Sequence, residues 1–287
     1  MLIRAIVPIL AWTISFLSYS ALASSLDNLS RYDRDGELIT LGQGDNAFQA
    51  LKRDALTPQT KGVAILVPDW SVPPSQQQGV GYLSELMPNH GWVTIAITAP
   101  PQLHNPNYTS PLEKPEEIDT AREAPTPAHP IQADEWLNDE IREEQSEAYL
   151  TQIIARMDAT VEESSKHPGF YLVIAQGSSA GWLTQLYEAK RLGPPDALIN
   201  IGAYLPQHQM NIALAEAMAK TDIPVLDIYT RYDNRWVQDT VTLRPQLANK
   251  HFKLHYRQRE LFGDVDMTRT DERLWKEIYG WLTYLGW

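Results

Sequence analysis

Continuous apolar runs alternate along this chain with segments in which apolar residues return every three or four positions. Residues 62–68 and 171–175 are apolar almost throughout, a pattern typical of strands buried on both faces of a parallel sheet. Tyr149, Ile153 and Met157 share one face of a helix predicted to reach about residue 165. The same reasoning predicts further strands at 92–97, 197–202, 224–229 and 252–260, and further helices at 80–87, 182–192, 209–219, 236–249 and 274–285.

The order of these elements predicts an α/β fold with a mostly parallel central sheet and helices on both faces. Residues 47–54 indicate an antiparallel strand at one edge, and the polar, alternating run 252–260 indicates a strand near the other edge. Pro245 is predicted to break the helix at 236–249, because a proline inside a helix removes a hydrogen bond. The pattern indicates one domain and no internal repeat.

The first 23 residues have the three parts of a secretory signal peptide. Arg4 is their only charge, an apolar run extends from Ala5 to Leu17, and Ala21 and Ala23 are the small residues of a cleavage site. We therefore expect cleavage after Ala23, export to the periplasm and a mature domain at 24–287. The chain has no cysteine, so neither a disulfide nor a thiolate metal site is possible.

The charge of the chain argues against two classes of partner. A formal net charge of −12 disfavours nucleic acid, whose binding needs a basic face, and also disfavours anionic membranes after signal cleavage. The charge is concentrated, because residues 113–147 contain twelve acidic and three basic residues. Eight of the twenty prolines fall within 100–130. We therefore interpret residues 101–140 as a mobile, solvated insertion, with a lid or a docking loop as the alternative.

The turn after the strand at 171–175 is where the sequence indicates chemistry. The run 177–181 reads Gly-Ser-Ser-Ala-Gly and fits the Gly-x-Ser-x-Gly nucleophile elbow of α/β-hydrolases, in which a strand turns sharply into a helix. In this frame Ser179 is the candidate nucleophile. Asp233 follows the second strand after the elbow, where such enzymes hold the carboxylate of a Ser-His-Asp triad. The fold prediction is therefore α/β-hydrolase-like.

The other catalytic groups are not in their expected places. The loop after the last predicted strand has no histidine, and the nearest ones, His251 and His255, come before or inside that strand. A serine without a base is a poor nucleophile. Pro68, which begins the loop expected to form the oxyanion hole, has no backbone N–H to donate. Asp69 and Trp70 remain as donors in that loop.

The elbow also fits a second frame, in which Gly177 occupies the nucleophile position. The residues two before, two after and three after the nucleophile must be small, because helix and strand cross closely there. With Ser179 as nucleophile, the third following residue is the bulky Trp182. With Gly177 the three neighbours are all small, namely Ala175, Ser179 and Ala180. Sterics favour this second frame, which has no nucleophile, but the sequence leaves both open.

Short motifs outside the elbow carry a further signal. They are Val67-Pro68-Asp69, the stretch 86–94 around His90-Gly91-Trp92, the dipeptide Gln176-Gly177, and Gly280-Trp281-Leu282 near the end of the chain. With these motifs the chain resembles a family of exported bacterial α/β-hydrolase-like proteins of unknown function, whose members often have glycine at the elbow. The resemblance covers most of the mature chain. It implies the fold and export but no reaction, since a fold alone assigns none.

Two functional hypotheses follow. In the first, the protein lacks a complete Ser-His-Asp triad and acts as a scaffold or binds a small molecule or protein partner. In the second, it is a serine esterase-type hydrolase that uses Ser179 and Asp233. We predict no cofactor, because the glycine-containing run 42–44 is too short for a dinucleotide loop. We also predict no metal site, because the run 33–36 begins like a calcium loop but the later ligands are missing.

Overall fold

The structure, a computed structural model, describes residues 36–70, 72–75, 79–100, 143–262 and 268–287. Both the predicted signal peptide and the acidic insertion lie outside these ranges. The described strands are β1 (Glu37–Leu41), β2 (Phe48–Arg53), β3 (Gly62–Val67), β4 (Trp92–Ile97), β5 (Phe170–Gln176), β6 (Ala197–Ile201), β7 (Val225–Thr230) and β8 (Tyr256–Leu261). They form one eight-stranded sheet in the order β1-β2-β4-β3-β5-β6-β7-β8.

The pairing of the strands confirms the predicted α/β class. Strands β3 to β8 run parallel to one another, whereas β1 pairs antiparallel with β2 and β2 pairs antiparallel with β4. None of the helices in the described ranges is both long and apolar enough to cross a bilayer. The α-helices are α1 (Val80–Leu86), α2 (Glu143–Ser164), α3 (Gly177–Glu188), α4 (His208–Lys220), α5 (Arg235–Thr240), α6 (Leu243–Lys250) and α7 (Thr268–Tyr284).

Two hydrophobic cores lie on opposite faces of the sheet, as the apolar strands predict. Successive residues of β5 point to opposite faces. Val173 therefore belongs to the core that contains Ile153 of α2 and Leu183 of α3, and Ile174 belongs to the core that contains Leu83 of α1 and Ile278 of α7. The sheet is thus covered on both sides, which leaves its strand ends as the places where polar groups converge.

Three predicted boundaries are wrong. The antiparallel strand predicted at one edge is β2, and the true edge is β1, whose exposed residues give no alternating signal. The helix predicted at 236–249 is interrupted as expected, but the break between α5 and α6 falls at residues 241–242 and not at Pro245. Pro245 lies in the first turn of α6, where the missing N–H costs little because the first N–H groups of a helix have no internal partner.

The third wrong boundary is the start of β8, which begins at Tyr256 rather than at Phe252. Phe252 has a left-handed φ of 54°, so the backbone is not extended at this position and the strand cannot begin there. Lys253 turns inward and donates hydrogen bonds to the carbonyl oxygens of Thr221 and Ile223. His255 therefore precedes the strand instead of lying inside it.

Candidate functional site

The sharp turn between β5 and α3 has Gly177 at its tip. Gln176 is still extended, with φ −120°, whereas Gly177 has a left-handed φ of 62°. A nucleophile elbow requires this kind of strained strand-to-helix turn. A glycine fits here for two reasons, because the φ is unfavourable for other residues and because a Cβ on Gly177 would overlap the carboxylate of Asp69.

Ser179 lies two residues further on, inside the first turn of α3. Its side chain is fully buried and its hydroxyl has no hydrogen-bond partner of acceptable geometry among the described residues. The neighbouring group is the phenol of Tyr149, and burial raises the pKa of that phenol to about 12, against a smaller opposing effect of the Ser179 hydroxyl. The serine of the sequence motif therefore faces the protein interior instead of the tip of the turn.

Asp69 occupies the space above Gly177. One carboxylate oxygen, Oδ1, accepts hydrogen bonds from the backbone N–H of Trp70 at 2.9 Å, from the backbone N–H of Ser178 at 3.0 Å and from the Ser178 hydroxyl at 2.7 Å. The other oxygen, Oδ2, accepts a longer hydrogen bond of 3.4 Å from the Tyr204 hydroxyl. The carboxylate is half-buried and is held at both oxygens.

The two backbone donors to Asp69 are the ones that α/β-hydrolases use for an oxyanion hole. That hole combines the N–H of the residue after the nucleophile with an N–H from the loop after the strand equivalent to β3. Ser178 follows Gly177, and Trp70 lies in the loop after β3. Their distances to Oδ1 match those of donors to an oxyanion, about 2.7–3.1 Å. The Asp69 carboxylate therefore fills both the nucleophile's space and the oxyanion hole.

The loop after β6 forms the other side of this site. Gly202 begins it with a left-handed φ of 56°, and the N–H of Tyr204 donates to the carbonyl oxygen of Gly177 at 3.3 Å. The loop packs so closely on α3 that a Cβ on Gly181 would overlap the Tyr204 carbonyl oxygen. Burial and the charge of Asp69 raise the pKa of the Tyr204 phenol well above its ordinary value, so Tyr204 is a neutral donor to that carboxylate.

A buried ion pair contacts the loop after β6 from the protein interior. Arg244 of α6 and Asp227 of β7 are both fully buried, and Arg244 Nη1 lies 3.0 Å from Asp227 Oδ1. Arg244 Nη2 donates to the carbonyl oxygen of Ala203 at 2.6 Å. The second carboxylate oxygen of Asp227 accepts from Tyr256 OH at 2.9 Å and from Gln258 Nε2 at 3.0 Å. Asp227 and Arg244 thus act as positioning residues for the segment that carries Tyr204.

Asp233 lies in the loop after β7, where the sequence predicted a triad carboxylate. Its Oδ2 accepts from the backbone N–H of Thr230 at 2.8 Å and its Oδ1 from the Thr230 hydroxyl at 3.0 Å. It also lies beside Gly202, on which a Cβ would come within 3.3 Å of Oδ2. His255 belongs to the opposite end of the sheet, since its carbonyl oxygen accepts from the N–H of Val225, the first residue of β7.

A cavity of about 440 Å³ lies beside the elbow helix. The ring of Trp182, which forms part of its wall, packs against the ring of Tyr149 with 5.8 Å between centroids. The cavity therefore borders the buried cluster around Ser179. Its volume is in the usual range of small-molecule sites. It is lined by Leu150, Trp182, Leu186 and Met210, with Gln185, Gln207 and the ion-paired Glu147 and Arg191 among its polar residues.

The sequence did not single out Tyr204, and it indicated Asp69 only as a backbone donor of the oxyanion hole, not as a side chain that fills it. The sequence could indicate that an aspartate follows β3, but not that its side chain turns back over a glycine more than a hundred positions later. In the described ranges, no cluster of three or more histidine and carboxylate side chains could hold a metal ion.

The comparisons with known proteins agree with this fold. The chain is similar in structure to Est1E from Butyrivibrio proteoclasticus, with a TM-score of 0.56, 9% identity, and coverage of 86% of this chain and 99% of that one. It is also similar to the dienelactone hydrolase from Anabaena variabilis, with a TM-score of 0.55, 10% identity, and coverage of 88% and 99%. At such identities the likeness shows the fold alone. No curated protein matches the sequence.

The family assignment rests on the sequence as a whole. The profile described as "Protein of unknown function (DUF3530)" matches residues 20–284, nearly the full chain. This confirms the resemblance to an α/β-hydrolase-like family of unknown function, and the eight-stranded sheet confirms its fold. The chain therefore belongs to the DUF3530 family.

Proposed function

We propose that this protein is a non-catalytic member of the α/β-hydrolase fold that binds a small molecule or a protein partner. The observation that carries the proposal is the carboxylate of Asp69, which accepts both oxyanion-hole N–H groups directly above a glycine elbow. Acyl transfer needs a nucleophile at the tip of the turn and an empty oxyanion hole next to it. Neither is available when a glycine and a carboxylate occupy those two places.

The energetic argument supports the same conclusion. Each donor of an oxyanion hole contributes about 3–4 kcal/mol to acyl transfer by stabilising the negative charge of the tetrahedral intermediate. Here the donors already stabilise a negative charge, and a second anion beside Asp69 would be repelled. The loop after the last strand, residues 262–267, also has no histidine that could act as a general base for Ser179. A hydrolase would therefore have to move Asp69 out of the site before any chemistry.

The cavity beside α3 supports a binding role. The lining combines apolar and polar side chains in similar numbers, and the Glu147–Arg191 pair satisfies its own charges with two hydrogen bonds of 3.1 Å. A ligand there would be uncharged, with both apolar and hydrogen-bonding groups, because neither ion-paired side chain offers an unbalanced charge. The second candidate function, a serine esterase using Ser179 and Asp233, is favoured by the hydrolase names of the structural neighbours and by the position of Asp233.

A fluorophosphonate probe separates the two functions. We expect no labelling of the folded wild-type chain under conditions in which an active serine esterase is labelled fully. The matched variant is Ser179→Ala, which should behave like the wild type. Stoichiometric labelling that Ser179→Ala abolishes would overturn the binding proposal and establish the esterase.

Export belongs to the same proposal. The signal-like residues 1–23 support a periplasmic location. The mass of the chain purified from cells tests this directly, because cleavage after Ala23 makes residue 24 the first one. A full-length chain that stays with the cytosolic fraction would contradict export and leave the binding proposal intact.

A further inference from the structure

A second feature lies at the amino ends of β7 and β8, away from Asp69. Phe252 and Leu254 are 87% and 86% exposed, the two highest values among the large apolar side chains in the described part of the chain. They flank Lys253 in the turn between α6 and β8. We call residues 252–254 the apolar tip. Single exposed apolar residues are common on surfaces, but burial in the core does not account for two large ones separated by a single residue in one turn.

The apolar tip is held rigidly. The ammonium group of Lys253 donates to the carbonyl oxygens of Thr221 and Ile223, and its burial lowers the pKa of the lysine to about 8. The backbone N–H groups of Phe252 and Lys253 donate to the preceding helix, to the carbonyl oxygens of Asn249 at 3.1 Å and Ala248 at 2.9 Å. Phe252 also keeps a left-handed φ of 54°, which is unfavourable for a bulky residue. The turn thus displays two apolar side chains and gains no burial from them.

The charge around the apolar tip is opposite to that of the chain. Residues 250–257 contain three basic residues, Lys250, Lys253 and Arg257, together with two histidines and no acidic residue, although the chain carries a net charge of −12. Lys250, His251 and His255 are exposed, and Lys250 forms no ion pair within the described ranges. The acidic groups that face this end are Asp222, which acts on Lys253, and Glu216, which is paired with Lys220 at 2.8 Å and acts on Lys250 and His251.

We propose that the apolar tip docks this protein on an anionic lipid surface. Two apolar side chains would bury far too little area for a stable protein interface, which buries about 800 Å² on each partner. They are suited to shallow insertion between lipid headgroups, where neighbouring cations meet anionic lipids. The net charge of the chain disfavours such a surface, but the exposed Lys250, His251 and His255 lie beside the apolar tip and would meet the lipid first. Docking at this end leaves the Asp69 site, at the carboxyl ends of the strands, facing away from the lipid.

The chain has no cysteine, so Leu254→Cys creates a single site for an environment-sensitive fluorophore. The control is the same fluorophore on Tyr232→Cys, a position that is 74% exposed at the other end of the sheet. With vesicles of phosphatidylglycerol and phosphatidylethanolamine, we expect the label at position 254 to shift to shorter wavelength and to be quenched by brominated lipid. The label at position 232 should do neither, and phosphatidylcholine vesicles should have a much smaller effect on both.

Phe252→Asn tests the apolar contribution without threatening the fold, because asparagine tolerates a left-handed φ. We expect it to weaken vesicle binding by about tenfold or more, the effect of keeping one aromatic side chain out of the lipid. Lys250→Glu should weaken binding to the anionic vesicles several-fold. The proposal is overturned if the label at 254 responds no more than the label at 232, or if Phe252→Asn binds like the wild type. A shift that grows with protein concentration in the absence of lipid would overturn it in favour of self-association.

Discussion

Two aspartates of the same domain, Asp69 in the loop after β3 and Asp227 in β7, are stabilised in different ways. Asp227 is fully buried, and its charge is balanced by the equally buried Arg244. Asp69 is half-buried and accepts from two backbone N–H groups and two hydroxyl groups, with no cationic side chain within 4.0 Å in the described ranges. Both carboxylates have satisfied oxygens, but only Asp227 has a partner of opposite charge.

The difference indicates what each aspartate is for. A buried ion pair with matched hydrogen bonds is a structural element, and here it fixes the loop that carries Tyr204. Backbone N–H groups that converge without a cation form a site for an anion in general, and in this fold they would ordinarily serve a transient oxyanion. In this protein a permanent side-chain carboxylate takes that role. The site thus has the donor geometry of an oxyanion hole, but the Asp69 carboxylate occupies it.

The largest effect is expected at Asp227. Asp227→Asn leaves the Arg244 charge buried without a counterion, and we expect the free energy of unfolding to fall by about 3–5 kcal/mol. Chemical denaturation measures it. The matched control is Glu216→Gln, which breaks a half-exposed, solvent-screened pair with Lys220 and should have a far smaller effect. Equal losses for the two variants would contradict a structural role of the buried pair.

A smaller effect is expected at Asp69. Asp69→Ala removes the acceptor of two backbone N–H groups and should cost about 1–3 kcal/mol. Asp69→Asn keeps an acceptor oxygen and should cost less. Because the emptied site is an anion site, acetate should raise the melting temperature of Asp69→Ala and leave the wild type unchanged. If acetate acts equally on both proteins, the N–H groups do not form an anion site.

Hydrophobic patterning predicts most of the fold because the strands are buried on both faces. The apolar run that ends at Val67 and the one that ends at Ala175 are core strands, and their ends mark the site. The pattern misses β1, since this five-residue edge strand buries only Leu41 and half-buries Ile39, too few positions to make an alternation. It also misplaces the start of β8, where one inward lysine and a left-handed Phe252 override the alternation.

The candidate site is only partly predictable. The need for small neighbours around an elbow favours Gly177 over Ser179 from the sequence alone, in agreement with the left-handed φ of Gly177. The role of Asp69 is not readable in this way, because it depends on a contact between two loops that follow different strands. Proline at position 68 argues against an oxyanion donor there, yet Trp70, two residues later, supplies the N–H.

The central claim is that the Asp69 carboxylate fills the space where a nucleophile would stand, and a double-mutant cycle between Gly177 and Asp69 tests it most directly. Gly177→Ala carries a backbone cost of about 1–2 kcal/mol for its left-handed φ, plus the overlap with the Asp69 carboxylate. We expect Asp69→Ala to remove the second part, so that Gly177→Ala costs at least about 1 kcal/mol less in that background.

Gly193→Ala serves as the control in the same cycle, since a Cβ there meets nothing within 4 Å, and its effect should add to that of Asp69→Ala. Denaturation of the single and double variants gives the coupling free energy. A coupling of about 1 kcal/mol or more between Gly177 and Asp69, and none for Gly193, is the predicted result. Additivity within about 0.5 kcal/mol for both glycines would contradict the placement of Asp69 over the elbow.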